Sequence, residues 1–508
     1  MTDATPLSFE LTAVARKKLT VDFDGGNQSS DAGMLLLRGA EKKTGVLARL
    51  AAAMRDRRDL TRIRHRMGEI IEARVFGICC GYEDGIDHDA LRHDPVMKMA
   101  VGRCPETGAP LASQSTISRF ENAPSKTDAA RLAKALVDQL TARVTPSGCD
   151  IFDIDDTFDA AHGGQQLAFW NAHHDERGFA PMHVYHAASG LPVATILRPA
   201  KTPNGREVRT VIKHLTKRIL KTWEKANIVW RGDSHYGRAE AMEWCDENGV
   251  GYIFGFAGNS VLDALVAEAA DHLRFWHALS EAPKSRCYKA LEYKAGSWQT
   301  PRRVIVRIEA SMHPDPTPED PQAMRQKIDV RYVVTSLDGD PERLYEGVYC
   351  QRGQAENLIK LHKAQLASDR TSCHSATANQ VRLTLHSAAF WLMHTVRAQI
   401  PQGHGLARCE FNTLRLRLLK IAARGIEHGR RIRVHLPSSC VEKTLSARLP
   451  SGSCRRDHDA WGMRAPTAAE RGRSTPNALH SELPKTTRPG RTTTHVRQIM
   501  RLVPASDA

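Results

Sequence analysis

Long apolar segments are missing from this chain of 508 residues, and so are several common ligand motifs. No apolar run reaches the roughly 18 residues that a membrane-spanning helix needs, and the first residues lack the apolar core of a signal peptide. The eleven cysteines include no C-x-x-C pair, which excludes a zinc ribbon and argues against a disulfide framework. The sequence has no phosphate-binding glycine loop and no internal repeat. These absences predict a cytoplasmic protein with reduced thiols and no membrane partner.

Positive charge is what the chain has in excess. It carries 72 Lys and Arg residues against 57 Asp and Glu residues, a formal net charge of +15. Such a balance favours a polyanionic partner, with nucleic acid ahead of a membrane surface. The length is sufficient for two to four domains with a sizeable core.

The most informative segment is YCQRGQAENLIKLHK, which contains Tyr349, Arg352, Glu356 and Lys363. At about 100° per residue these four positions fall within a sector of roughly 60° on one helix. A phenol, a guanidinium, a carboxylate and an ammonium then share one face. An acid flanked by cations on one helix face is suited to holding a divalent metal and phosphate together.

Two carboxylates upstream stand where such a site would need them. Asp155 ends a predicted strand that begins at Ile151, and Asp233 ends a later strand that begins at Ile228. Strand ends and a crossing helix can bring distant carboxylates within about 4 Å of a metal pair. Hard oxygen ligands of this kind bind Mg²⁺, which supports hydrolysis or transfer at a phosphodiester. A single Asp at a strand end is more often a turn or cap residue, so the argument depends on Asp155, Asp233 and Glu356 taken together.

The pattern of apolar residues divides the chain into segments of different character. A short strand, Leu19–Phe23, and a helix cap at Ser30–Asp31 are predicted near the start. The predicted segments are a mostly helical part at 1–148, a mixed sheet with packed helices at 149–257, a β-rich insertion at 258–342, the Glu356 helix and an apolar helix (381–398) at 343–400, a basic region at 401–450, and a disordered basic tail at 451–508. Within the basic region, residues 411–436 predict a helix, a turn at Gly429 and a strand.

Two parts of the N-terminal segment are candidates for DNA contact. Six arginines crowd residues 55–66, and a cluster of this density in a basic protein favours phosphate contact over a solvated face. The sequence LASQSTISRFEN at 111–122 resembles the second half of a helix-turn-helix, with Ser115 as the cap and Arg119 exposed. The spacing to a partner helix is missing, so this signal is weak.

The motifs as a set resemble a known family. The chain is similar to DDE transposases of the IS4-related superfamily, and most closely to the IS1380 family of bacterial insertion sequences. The resemblance covers most of residues 19–436, and its most specific part is the pattern Y-x2-R-x3-E-x6-K, matched in full. The blocks DIDDT…HGGQQLAFWN, RGDSHYG, GYEDGIDHDALRHDP and QSTISRFEN also resemble that group.

This resemblance implies an α/β fold with a ribonuclease-H-like catalytic core. The core would comprise residues 149–257 and 343–400, interrupted by the β-rich insertion at 258–342. A helical N-terminal DNA-binding domain at 1–148 and the basic C-terminal region at 401–450 would flank it.

The resemblance also implies a metal site. Asp155, Asp233 and Glu356 would be the catalytic residues and the ligands of Mg²⁺, for which Mn²⁺ can substitute. The stretch DIDDT offers Asp153 and Asp156 as alternatives to Asp155. The superfamily pattern of Asp, any residue, then Ser or Thr selects Asp155, and Asp153 is the second choice because it shares a strand face with Asp155.

Further residues would contact DNA. Arg352 and Lys363 would hold phosphates of the transposon end, and Tyr349 would position the backbone near the cleaved bond. Trp298, within the insertion, could receive a base flipped out of the duplex, although a tryptophan is more often a core residue. Arg119 would contact DNA from the N-terminal segment.

The resulting hypothesis is a cut-and-paste DNA transposase. It would bind double-stranded DNA at the terminal inverted repeats and at the target, and act as a homodimer in the paired-end complex, in the bacterial cytoplasm and on the nucleoid when DNA-bound. One alternative is a catalytically decayed transposase that serves as a DNA-binding repressor. Another is a structure-specific nuclease with the same fold.

Overall fold

The computed structural model describes residues 12–449, with residues 22, 60, 281 and 316–323 excepted. The basic tail predicted at 451–508 lies outside the described residues. In the part of the chain that is described, no helix is both long and apolar enough to cross a membrane.

Helices occupy most of the N-terminal part. After the two-residue strand β1 (Gln28–Ser29) come α1 (Met34–Thr44), α2 (Val46–Ala53), α3 (Met67–Cys80), α4 (His88–Leu91), α5 (Pro95–Val101), α6 (Gln114–Asn122) and α7 (Lys126–Arg143). The mostly helical character predicted for this segment is observed.

Three local predictions in this segment were wrong. The described residues between 19 and 23 form no strand, and Phe23 is 82% exposed, because an apolar alternation makes a strand only where a sheet edge accepts it. Asp31 does not cap α1. Its buried carboxylate instead accepts from the Tyr82 hydroxyl at 2.8 Å and pairs with Lys420 at 2.8 Å. The cap of α6 is Ser113 and not Ser115, which lies in the first turn.

The middle of the chain alternates strands and helices. Its elements are β2 (Asp150–Asp156), β3 (Asp159–Ala160), β4 (Phe169–Asn171), β5 (Glu176–Phe179), β6 (Met182–His186), β7 (Leu191–Ile196), α8 (Gly205–Ile219), β8 (Ile228–Gly232), α9 (Ala239–Asn248), β9 (Gly251–Phe256), α10 (Ser260–Ala278), β10 (Lys284–Tyr293), β11 (Arg302–Pro314) and β12 (Met324–Thr335). The hairpin and the alternating strands and helices after it agree with the prediction for 149–257, whereas β3, β4 and β5, which form a separate three-stranded sheet, were not predicted.

Eight of these strands form one mixed sheet in the order β10-β11-β12-β9-β8-β2-β6-β7. The central strands β2, β8 and β9 are parallel, whereas β6 and β7 on one side and β12, β11 and β10 on the other are antiparallel. This mixed α/β arrangement is consistent with a ribonuclease-H-like transposase core. Because β2 and β8 run in the same direction, residues at their carboxyl ends meet at one edge of the sheet.

The segment predicted as a β-rich insertion contains a helix as well as strands. The three predicted strands appear as β10, β11 and β12, and β12 pairs with β9, so these strands extend the central sheet. The 19-residue helix α10 was not predicted. Its signals are present in the sequence, since Asn259 caps the first turn by accepting from the backbone N–H groups of Val261 and Leu262.

The chain beyond the sheet is again mainly helical. A π-helical turn (Arg343–Tyr349), a 3-10 turn (Cys350–Arg352), α11 (Gly353–Lys360) and a second π-helical turn (Leu361–Gln365) form one continuous segment. The remaining elements are α12 (Ala376–Ala398), α13 (Phe411–Leu414), a π-helical turn (Arg415–Leu419), β13 (Ala423–His428), β14 (Arg431–His435) and α14 (Lys443–Arg448).

The basic region contains a hairpin where a helix and one strand were expected. The helical part of 411–436 stops at Leu419, and β13 and β14 pair on either side of Gly429, whose φ of +55° suits a residue without a Cβ. β13 also pairs with β1, so the described C-terminal and N-terminal ends share one small sheet.

Helix α12 holds the two halves of the fold together. Most of its side chains are buried, and it contacts α1, α3 and α7 on one side and β7 on the other. The N-terminal helices and the central sheet therefore share one core through α12.

A buried ion pair fixes the centre of the sheet to the helical segment 343–365. Asp153 on β2 and Arg231 on β8 stand opposite each other, and a guanidinium nitrogen lies 2.8 Å from the carboxylate. The side chains are 1% and 4% exposed, and Arg231 also donates to the carbonyl of Val348. Removing one member of such a pair leaves an uncompensated buried charge.

Replacing Arg231 should therefore destabilise the fold strongly. We expect Arg231→Met to lower the free energy of unfolding by about 3–5 kcal/mol, measured by denaturant unfolding. The matched control is Arg62→Met, because Arg62 pairs with Asp59 in solvent, with side chains 87% and 55% exposed. That change should cost less than about 1 kcal/mol, and equal effects of the two substitutions would contradict this account.

A half-buried carboxylate, Glu72, should make stability depend on pH. Burial, with the nearby Glu41 carboxylate as the next cause, raises the pKa of Glu72 from 4.5 to about 7. Below pH 4.5 the carboxyl is protonated in both the folded and the unfolded chain. Between pH 4.5 and 7 the unfolded chain loses this proton first, so stability falls as the pH rises, and the full cost is present above pH 7.

Glu72→Gln should remove this cost. We expect its thermal midpoint to exceed that of the wild type by a few degrees at pH 8 and to match it at pH 4.5, measured by calorimetry. Glu247→Gln, at an exposed position on α9, should change neither value. A gain that is equal at both pH values would show that the cause is not ionisation.

Candidate active site

The first two candidate carboxylates lie at the carboxyl ends of neighbouring parallel strands. Asp155 is the penultimate residue of β2 and is 9% exposed, while Asp233 follows β8 directly. The side chain of Asp233 is 29% exposed and accepts from the backbone N–H of His235 at 2.9 Å. The topology thus places these two acids, 78 positions apart in sequence, at the same edge of the sheet.

Arg352 connects the third candidate to the first. One terminal nitrogen of its guanidinium donates to Asp155 at 3.0 Å, and the other donates to Glu356 at 3.0 Å. Glu356 lies on α11 with its side chain 62% exposed. Arg352 and Glu356, which were predicted to share a helix face, therefore meet, and Arg352 also reaches the end of β2.

The charges in this region are strongly perturbed. Burial raises the pKa of Asp155 to about 7; Arg352 opposes that rise, and the Asp233 and Asp156 carboxylates add to it. Burial also raises the pKa of Asp156. Carboxylates crowded in this way are stabilised by an added cation.

The chemistry of these side chains fits a divalent cation, but their present arrangement does not close around one. Asp155, Asp233 and Glu356 are hard oxygen donors of the kind Mg²⁺ prefers. Among the described residues, however, no three His, Cys, Asp or Glu side chains are grouped so that they could hold a metal ion. The guanidinium of Arg352 lies between two of the three carboxylates.

The two alternatives to Asp155 are engaged elsewhere. Asp153 is committed to its buried arginine partner on β8. Asp156 accepts from the hydroxyl of Tyr236 at 3.2 Å and lies 3.7 Å from Arg198. Of the three acids in the stretch DIDDT, Asp155 is the one that pairs with the helical segment.

Tyr349 lies in the same cleft as Asp233 and Arg352. Burial raises the pKa of its hydroxyl. A Cβ built on Gly255 would stand 2.7 Å from that hydroxyl, so glycine at the end of β9 leaves the space that Tyr349 occupies. Sequence reasoning missed this role of Gly255, for which the only signal was a glycine within a strand.

Lys363 is paired within the protein. Its ammonium donates to the carbonyl of Phe158 and lies 3.3 Å from Asp159. Burial raises the pKa of Asp159 to about 7, and Lys363 opposes that rise. This contact ties the end of the helical segment to the loop after β2, and the sequence analysis did not identify Asp159.

Trp298 lies in the core and is 4% exposed. Its ring packs 5.1 Å from that of Phe256 and 5.6 Å from that of Tyr293, and the Arg302 guanidinium covers it at 5.3 Å. The structure does not bring Trp298 to the surface, so receiving a flipped base would require the ring to leave this cluster.

Arg119 is exposed on α6 and borders a groove with the arginine cluster of residues 55–66. Part of the charge of that cluster is already neutralised. Arg57 pairs with Asp128 at 3.3 Å, and Arg58 pairs with Asp56 at 2.6 Å. The groove nevertheless contains four arginines, three from the cluster and Arg119 from the last turn of α6.

The chain was compared with solved structures and with curated protein sequences. A cryo-EM structure of a piggyBac transposase synaptic complex with hairpin DNA is similar at a TM-score of 0.36 with 11% identity, covering 77% of this chain and 80% of that chain. A likeness this distant supports no statement about function. No curated protein sequence matches the chain.

The family comparison is more decisive. Residues 11–451 match the model described as Transposase DDE domain group 1. The matched region covers most of the chain and includes Asp155, Asp233 and the helical segment with Glu356. The chain therefore belongs to the family Transposase DDE domain group 1, and this membership indicates a transposase enzyme.

Proposed function

We propose that this protein is a cut-and-paste transposase of the IS1380 group, with Asp155, Asp233 and Glu356 as its catalytic acids. The observation that carries the proposal is the position of Arg352, which donates to both Asp155 and Glu356. Through that contact, residues from the first strand and from the late helix meet beside the end of β8. The substrates would be the terminal inverted repeats of its own insertion sequence and a target DNA.

The three carboxylates would hold Mg²⁺, with Mn²⁺ as a substitute. When bound, the metal would activate the attacking oxygen and stabilise the leaving oxygen at the phosphodiester. Asp155 is the preferred first ligand over Asp153 and Asp156, because both of those acids have other partners in the fold.

Arg352 would position the DNA backbone. A guanidinium that donates from two nitrogens to carboxylates presents the same fork to a phosphate. Binding of the transposon end would offer Arg352 a phosphate in place of Asp155 and Glu356, which would free both acids. Tyr349 would contact the backbone from the same cleft.

The N-terminal helices and the basic C-terminal region would hold the DNA outside the catalytic cleft. Arg119 and the arginine groove beside it are the proposed phosphate contacts of the N-terminal part. Two ends must be held together for transposition, so the active complex would be at least a homodimer. The protein would act in the bacterial cytoplasm, on the nucleoid.

Loss of any one catalytic acid should abolish cleavage without abolishing binding. We expect Asp155→Asn, Asp233→Asn and Glu356→Gln each to reduce Mg²⁺-dependent nicking of a transposon end by at least about 10³-fold. The substrate is a duplex with the inverted repeat that flanks the reading frame, and binding is measured on the same duplex. Asp329→Asn is the matched control, because Asp329 borders the cleft but pairs with Arg307 and Arg331.

The outcomes separate the proposal from its alternatives. A wild type that binds the end but cuts no better than Asp233→Asn would identify a decayed transposase serving as a repressor. Cutting without joining to a target duplex would identify a structure-specific nuclease. Equal loss in Asp153→Asn and Asp155→Asn, with both variants folded, would overturn the choice of Asp155.

The salt dependence of DNA binding tests whether Arg352 and Lys363 each contact a phosphate. We expect Arg352→Gln to reduce the slope of log affinity against log salt by about one, because one phosphate contact is lost. Lys363→Gln should reduce the slope equally if its ammonium leaves Asp159 for DNA. If it stays in its internal pair, Lys363→Gln should lower the thermal midpoint and leave the slope unchanged.

A further inference from the structure

Helix α10 exposes a stripe of large apolar side chains. Val261, Leu265, Phe275, Trp276 and the C-cap residue Leu279 are each more than half exposed. At about 100° per residue they fall within a sector of roughly 100° along the whole helix. Isolated exposed apolar residues are common, but several of them aligned on one helix face, on both sides of Glu268 and His272, mark an interaction surface.

The stripe is separate from the face that packs on the sheet. Leu262, Val266 and Ala269 are buried, and the helix contacts β10, β11 and β12. The helix therefore has two apolar faces, of which the sheet covers one. Nothing among the described residues covers the other.

The order of residues along the stripe is symmetrical about Ala270. Two such helices can pack antiparallel with the two-fold axis at the level of Ala270. A residue that lies a given number of positions before Ala270 in one copy then faces the residue that lies the same number of positions after Ala270 in the other copy. The facing pairs are Val261 with Leu279, Leu265 with Phe275, and Glu268 with His272. Four of the five large apolar residues thus meet one another, Trp276 faces the exposed Ala264, and the only charged residue of the stripe meets a histidine.

We propose that α10 is a self-association surface and that its partner is α10 of a second copy, packed antiparallel across a two-fold axis. A two-fold interface uses the same patch on both subunits, so that residue i contacts j and j contacts i. The symmetry of the stripe about Ala270 meets that requirement. Binding to an unrelated partner would not require the stripe to be symmetrical. The inference concerns the chain without DNA, so it does not rest on the proposed chemistry.

The polar pair at the centre is arranged for such a contact. The indole N–H of Trp276 donates to Nε2 of His272 at 2.8 Å. This leaves Nδ1 of His272 as the donor toward a carboxylate. Glu268 is exposed and would accept from His272 of the second copy, twice across the axis.

The available area is sufficient for a reversible dimer. The exposed parts of five large apolar side chains in each of two copies amount to on the order of 1,000 Å², with the aromatic rings contributing most. This is the lower bound of specific interfaces. A dimer that dissociates at roughly micromolar concentration is the expected behaviour.

Sedimentation equilibrium of the full chain without DNA tests this surface. We expect Leu265→Glu and Phe275→Glu each to weaken dimerisation at least tenfold. Ala267→Glu is the matched control, since Ala267 is exposed on α10 but lies outside the stripe, and it should leave dimerisation unchanged. Circular dichroism checks that each variant is folded.

A charge exchange makes the test specific for the antiparallel pairing. Glu268→His and His272→Glu each place like residues opposite each other and should weaken the dimer, whereas the double variant should restore it. A wild type that stays monomeric up to about 100 µM overturns the proposal. So does a dimer that Leu265→Glu does not weaken, because a surface other than the stripe would then hold the two copies together.

Discussion

The buried ion pair of Asp153 and Arg231 is the contact on which the placement of the site depends. It links β2 to β8 at the level where their carboxyl ends diverge, and through the Val348 carbonyl it holds the helical segment against the sheet. Arg352 is four residues beyond Val348, so its reach to Asp155 follows from this anchor. A buried pair is costly to break from one side, and the geometry of the site is correspondingly well determined.

Several carboxylates lie near this ion pair, and nearby cations neutralise only part of their negative charge. Asp155, Asp156 and Asp159 all have raised pKa values, with burial as the first cause. Arg352 and Lys363 on the helical segment compensate some of that charge from the other side. Such a cluster favours an added cation and a ligand that competes for the arginine. Family membership indicates a transposase enzyme.

The elements predicted best were those with strong local periodicity. The hairpin β6–β7, the strands β2, β8 and β9, and the helices between them agree with the sequence patterns within a few residues. The failures were segments whose structure depends on distant partners. Asp31 reads as a helix cap but pairs with Lys420, and the segment read as a basic helix continues into β13, which pairs with β1. No local pattern contains those partners.

For the site, the sequence alone placed Arg352 one helical turn before Glu356, and it placed Asp155 and Asp233 at the ends of strands. The single helical face predicted for all four residues from Tyr349 to Lys363 is instead divided among π-helical, 3-10 and α-helical turns. The motif matched in full also indicated a DDE transposase, which the family model over residues 11–451 confirms, while the IS1380 assignment stays a prediction. Only the tertiary structure decided that Asp153 and Asp156 have other partners, that Lys363 is paired with Asp159, and that Trp298 is buried. Those outcomes depend on which side chains meet across the fold, and a one-dimensional pattern does not specify such contacts.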